Sequence, residues 1–188
     1  LRVAFAIILA PLAFLFFTSN RSRFIGNSVF LWLTTCGLSK KEIIRLRKQF
    51  IDFYLHRNDV KIYCEAIAKI QEHQKNNDQV IVVSGSSKWM IELILKEINI
   101  NDLIIIGSKE KCLFFGMVAN EHCYSVNKIK MLAEVVDINT YTQLSGHSDS
   151  AADIPMLSLC HFKFIFNPTN RCFKKFQKSF NQNFQILK

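Results

Sequence analysis

The sequence predicts an α/β fold: a parallel sheet covered by helices on both faces, with an all-helical block ahead of it. Three observations predict this. From Gln79 onward, short β-branched runs alternate with stretches of helical periodicity, as expected for strands joined by crossover helices. Before Asn76, apolar residues recur only at helical spacing. Small polar and acidic residues gather where strand runs end, around Ser84 and around Asp149, and ligands bind at that end of parallel sheets. The division expected is a helical domain over 1–76 and an α/β domain over 77–188.

Taken in order, residues 1–17 are almost wholly apolar, with Arg2 the single charge and Pro11 in the middle. A spanning helix needs roughly 20 apolar residues, so this run reads as a buried helix or as a peripheral membrane contact. A membrane anchor on an unrelated α/β domain is a further alternative. The absence of an initiating Met suggests an N-terminally incomplete sequence. Ser39-Lys40-Lys41-Glu42 matches a capping box and opens a helix with Ile43, Leu46, Phe50 and Phe53 on one face. A second helix is expected from Asp59 to His73, with Ile62, Ala66, Ile67 and Ile70 on its apolar face, broken by Asn76-Asn77-Asp78.

In the second block, Val80 to Val83 and Leu103 to Ile106 read as buried strands, with Trp89 to Ile98 helical between them. Leu113 to Val118 suggests part of a hairpin, Val126 to Val135 a helix, and Tyr141 to Leu144 a strand leading into an acidic loop. Ile154 to Cys160 follows as a short helix, then strand Phe162 to Phe166, helix Thr169 to Phe180 and strand Phe184 to Leu187.

Composition sets limits on function. The formal charge of +9 suits anionic partners, whether phosphorylated metabolites, acidic membrane surfaces or nucleic acid. No RNA-binding or helix-turn-helix signature accompanies the scattered Lys and Arg, so nucleic acid is not expected. The six cysteines include no C-x-x-C pair and read as reduced, mostly buried thiols of a cytoplasmic protein. The five histidines do not fall at metal-ligand spacing along the chain.

Three features could carry chemistry. Ser84-Gly85-Ser86 puts a hydroxyl and free backbone N–H groups at the tip of a buried strand, which suits a phosphoryl oxygen, although Ser is also a commonplace helix cap. Asp149 and Asp153, four apart in a strand-to-helix loop, could hold a hard cation or serve as cap and first-turn charge. Lys128, at a helix start, could neutralise a phosphate or simply be solvated.

Taken together, in this order, the features resemble motifs two, three and four of the haloacid dehalogenase superfamily. The likeness extends to its phosphoserine-phosphatase-like branch, which includes the phosphatidylglycerophosphatase C type. Ser84-Gly85-Ser86 resembles the branch's S-A-S turn, and Cys123 to Lys128 its C-x-G-x-x-K segment. Ser148-Asp149-Ser150-Ala151-Ala152-Asp153-Ile154-Pro155-Met156-Leu157 resembles its G-D-S-x-x-D-x-P-M-L. The resemblance implies a Rossmann-like core under a helical cap and a Mg²⁺-dependent phosphomonoesterase, cytoplasmic or membrane-associated, acting through an aspartyl phosphate. Its substrate would be a small phosphorylated metabolite or a phospholipid head group. It further implies Ser84, with the Gly85 amide, and Lys128 as phosphoryl-binding and catalytic groups, and Asp149 and Asp153 as the metal site.

This sequence departs from the pattern. The first motif, Asp-x-Asp-Gly-Thr on the central core strand, is absent; the first aspartate is Asp52, inside an expected helix, and no Asp-x-Asp occurs. Ser148 replaces the usual Gly, Ala152 replaces Asn, and Ser125 and Asn127 replace the Gly and Glu before the lysine. The chain as given is therefore expected to be inactive and less stable than the whole protein. A non-catalytic relative that keeps the fold for binding is the alternative.

Overall fold

The structure is a computed structural model that describes residue 11 and residues 23–60 and 62–187. Apart from Pro11, the apolar run 1–17 and the membrane contact read from it lie outside the described residues. No helix among the described residues is long and apolar enough to cross a membrane.

The order of elements is α1 (Arg23–Thr35), α2 (Lys40–Leu55), α3 (Cys64–Lys75), β1 (Ile81–Ser87), α4 (Lys88–Glu97), β2 (Ile104–Leu113), β3 (Gly116–Glu121) and α5 (Val126–Ala133). A 3₁₀ turn at Ile138–Thr140 leads to β4 (Ser145–Ser148), and another at Ala151–Asp153 leads to α6 (Ile154–Leu157). The chain closes with β5 (Phe162–Phe166), α7 (Asn170–Phe180) and β6 (Gln185–Leu187). This is a mixed α/β fold with parallel strands, as the alternating pattern predicts. Its contacts form two compact units, Leu1–Ile62 with Val80–His122, and Tyr63–Gln79 with Cys123–Lys188.

In the first unit, β1 and β2 run parallel while β2 and β3 form an antiparallel hairpin. Strand β1 continues through Ser84 to Ser87 instead of stopping at Ser84, and its register with β2 shifts between Ser84 and Ser87. Gly107, opposite Ser84, makes room for the start of α4: a Cβ there would lie 2.8 Å from the Lys88 Cα.

The capping box at Ser39 is present, with the Ser39 side chain accepting from the Glu42 N–H and the Glu42 carboxylate accepting from the Ser39 N–H at 2.7 Å. The buried stripe of α2 differs from the expected Leu46, Phe50 and Phe53, of which Phe53 is 65 % exposed. It runs through Ile43, Arg47 and Ile51, at i, i+4, i+8. A charged residue lies in that stripe because it has a partner. The Arg47 guanidinium donates at 2.5 Å to Glu110, whose carboxylate also accepts from the Ser87 hydroxyl at 2.6 Å and the Trp89 indole at 2.8 Å. Arg47 lies 4.7 Å above the Trp89 ring, so one buried acid ties α2, α4 and β2 together.

In the second unit, β4, β5 and β6 form a parallel sheet in that order. Leu157, Ile165 and Phe176 are fully buried at its centre, with Ile154, Cys172, Phe180 and Phe184 around them. Helix α7, expected from Thr169, begins at Asn170 with Thr169 as its cap, and presents Phe173, Phe176 and Phe180 to the core. Two expectations need correction. Helix α3 begins at Cys64, five residues after Asp59, which instead pairs with Arg57 at 2.5 Å. The strand expected at Tyr141 to Leu144 falls at Ser145–Ser148, where polar residues pair with the greasy β5. Apolar content pointed to the wrong four residues because the sheet's own ladder, not β-propensity, selects the strand.

All six cysteines are free, but only Cys123 is fully buried; Cys64, in the first turn of α3, and Cys112, near the end of β2, are exposed.

Removing the Glu110 carboxylate by Glu110→Ala strands Arg47 and two further donors in a site where the acid side chain is only 7 % exposed. A loss of about 3–5 kcal/mol in unfolding free energy is expected, read from urea denaturation against wild type.

Candidate active site

The second unit brings Lys128, Ser148 and Asp153 together. Lys128 lies in the first turn of α5, its backbone N–H donating to the Ser125 carbonyl at 3.1 Å. Lys128, Ser148 and Asp153 are 6 %, 8 % and 8 % exposed. The Lys128 ammonium donates to one Asp153 oxygen at 2.6 Å, and the Ser148 hydroxyl donates to the other at 2.8 Å. Burying an isolated ammonium or carboxylate costs several kcal/mol, and the pairing of these two charges offsets part of that cost.

Local sequence explains how each arrives. Ser148 ends β4, and its hydroxyl oxygen accepts from the Ser150 N–H at 3.0 Å, bending the chain into the 3₁₀ turn. Ser150 caps that turn by accepting from the Ala152 N–H at 3.3 Å. The turn puts Asp153 one residue before α6, where Pro155 has no N–H to leave unpaired. Asp149 points from the same loop and is exposed. The two acids therefore differ: Asp153 is engaged through both oxygens, and Asp149 is open to solvent.

A hard cation is the group to test against this arrangement. Among the described residues, no cluster of three or more His, Cys, Asp or Glu is placed to hold a metal ion. Mg²⁺ commonly keeps several waters and takes only one or two carboxylates, so Asp149 fits as a lone direct ligand of a weak site. Asp153 fits as a group that orients neighbouring donors.

Ser84 and Gly85 lie in the first unit. The Ser84 hydroxyl oxygen accepts from the Ser86 N–H at 3.2 Å, and the Gly85 carbonyl accepts from the Ser108 hydroxyl at 2.7 Å. These residues lie in the carboxyl-terminal half of β1, which leads directly into α4 at Lys88.

Three features of these units were not legible along the chain. Ser125, just before α5, has φ 50° and ψ −127°, the first central position of a type II′ turn, which favours glycine. The glycine of the resembled C-x-G-x-x-K segment thus has a backbone reason, and Ser125 occupies its place under strain. Secondly, His73 and His147, far apart in sequence, approach with their Nε2 atoms 3.4 Å apart. His73 Nδ1 lies 2.8 Å from Asp78, and His147 stacks on Phe164 at 4.7 Å between centroids. Burial, then the charges of His73 and Lys69, push His147 down to about 4. Thirdly, the Thr169 hydroxyl and the Ala151 backbone hold the Cys172 thiol below its usual range.

The family model for haloacid dehalogenase-like hydrolases matches residues 3–158. Among solved structures, the protein with unknown function from Bordetella pertussis Tohama I is similar, with a TM-score of 0.70 at 12 % identity over 90 % of this chain and 74 % of that one. At that identity the likeness concerns the fold alone. No curated protein matches the sequence.

Ser125→Gly is expected to raise the unfolding free energy by about 1 kcal/mol, visible as a higher urea midpoint, because glycine adopts this backbone without strain. A pH series tests His147. The unfolded chain binds a proton near 6.5 and the folded chain only near 4, so stability should fall as pH drops through that window. His147→Phe keeps the stacking and should flatten the urea midpoint across the same range.

Proposed function

This chain belongs to the haloacid dehalogenase-like hydrolases, and from that premise we propose that it is the greater part of a Mg²⁺-dependent phosphomonoesterase. The observation that carries the proposal is the buried Lys128–Asp153–Ser148 network beside the exposed Asp149. A fixed ammonium and an open carboxylate in one unit are a means of handling an anion and a cation together, and phosphoryl transfer asks for little beyond positioning and charge neutralisation.

In this reading Lys128 pairs with the phosphoryl group and with the attacking carboxylate. Asp153 holds the lysine in place through one oxygen and is itself held by Ser148 through the other. Asp149 would hold Mg²⁺, which supplies charge neutralisation at the phosphoryl oxygens. Ser84 and the Gly85 amide are assigned as phosphoryl donors on the motif likeness alone, and residues 1–76 as the cap on their helical content. Substrates are small phosphorylated metabolites or phospholipid head groups, in keeping with the net charge of +9. The nucleophile would be an aspartate forming an aspartyl phosphate. No Asp-x-Asp occurs in this sequence, so the chain by itself is assigned no turnover.

The missing Asp-x-Asp also supports a second reading, a non-catalytic relative that retains the phosphate cradle. Hydrolysis of p-nitrophenyl phosphate by the product of the whole gene separates the two. Turnover that requires Mg²⁺, and that falls about a hundredfold or more in Asp149→Ala and in Lys128→Ala, is the expected result. A folded protein that binds orthophosphate but never turns over would establish the second reading instead.

A further inference from the structure

The tip of the β2–β3 hairpin is unusual in two respects. Leu113 pairs with Gly116, so the turn consists of Phe114 and Phe115 alone, and both have positive φ, 45° and 60°. Asn and Gly normally fill such a turn because bulky side chains are strained there. The two rings are also 76 % and 83 % exposed, with Leu113 beside them at 43 %. Folding gains little from them, since strained backbone and exposed aromatic surface both act against the native state.

The carbonyls of the same turn are served by protein donors. The Trp32 indole N–H donates to the Leu113 carbonyl at 3.0 Å and is shared with the Phe114 carbonyl at 3.2 Å. The Gly37 N–H donates to the Phe115 carbonyl at 2.7 Å. Three successive carbonyls at an exposed tip therefore have protein donors, although water could have served each. An apolar phase cannot serve them, and backbone entering lipid must be satisfied internally.

The exposed charges closest to the tip along the chain are mainly basic. Lys111 precedes Leu113 by two residues, and Lys40 and Lys41 follow Gly37 by three and four; all three are exposed. The nearby acids have partners: Glu42 closes the Ser39 cap, Glu110 binds Arg47, and Glu121 lies 2.9 Å from Lys109.

We propose that this tip docks the protein on an anionic phospholipid surface, with Phe114, Phe115 and Leu113 entering the interfacial layer while Lys40, Lys41 and Lys111 meet the head groups. A fluid interface accepts protruding rings without a preformed pocket, and aromatic side chains with a basic fringe are what such interfaces favour. The assignment concerns described residues of the first unit and is independent of the hydrolase reading.

Vesicle co-sedimentation tests it, with phosphatidylcholine vesicles prepared with and without phosphatidylglycerol. Wild type is expected to sediment with the anionic vesicles, less so at high salt. The double variant Phe114→Asn, Phe115→Gly installs the preferred turn residues, so its unfolding midpoint should hold or rise. Its vesicle affinity should fall about tenfold or more, because two apolar rings are lost. In a separate variant, Phe115→Trp, indole emission should shift to the blue on anionic vesicles and be quenched by brominated acyl chains. Wild type that ignores anionic vesicles, a double variant that binds them as well as wild type, or a Trp that stays water-exposed on them would each overturn the proposal.

Discussion

The second unit depends on one buried ion pair. Lys128 and Asp153 are each nearly inaccessible to solvent and lie 2.6 Å apart. Either charge alone would be costly to bury, so the start of α5 and the turn before α6 must be held in register wherever the unit is folded. Ser148 occupies the remaining oxygen of Asp153 and thereby fixes the end of β4 against the same point. The end of β4 and the turn that follows it are thus tied by one carboxylate to α5, 25 residues away, and Asp149 is left exposed in the same loop.

The first unit solves a similar problem with Glu110. Its carboxylate gathers Arg47, Ser87 and Trp89, so α2 packs through a stripe with a charge at its centre. Both units therefore place polar networks where an apolar core would have been simpler. A fully satisfied polar network fixes a single geometry, whereas apolar contacts tolerate sliding. The strands show a matching division: among the described residues, β1 and β4 each stand at an edge of a three-stranded sheet.

Family membership establishes a hydrolase framework, and the chemistry proposed within it rests on the contrast between two aspartates. Asp153 is inward and engaged at both oxygens, while Asp149 is outward and exposed. In a loop of five residues, one 3₁₀ turn is enough to give two identical side chains different surroundings. The docking proposed for the hairpin tip bears on where such a hydrolase works rather than on what it does.

The sequence by itself determined the alternation of strands and helices, the cap at Ser39, the helix that closes at Phe180 and the grouping of Ser84, Lys128, Asp149 and Asp153 as the residues to watch. These are local properties: periodicity, capping and turn chemistry act over a few residues and can be read from them. Tertiary structure decided which face of α2 is buried, because Arg47 enters the core only through Glu110, which lies 63 residues away. It decided that Ser145–Ser148 and not Tyr141 to Leu144 is the strand, since pairing with β5 selects it. It decided as well that His73 meets His147, that Ser125 occupies a glycine's backbone conformation, and that Asp153 answers Lys128 while Asp149 does not. Each of these outcomes depends on a partner distant in the chain or on a backbone angle imposed by neighbouring elements, and no local pattern encodes either.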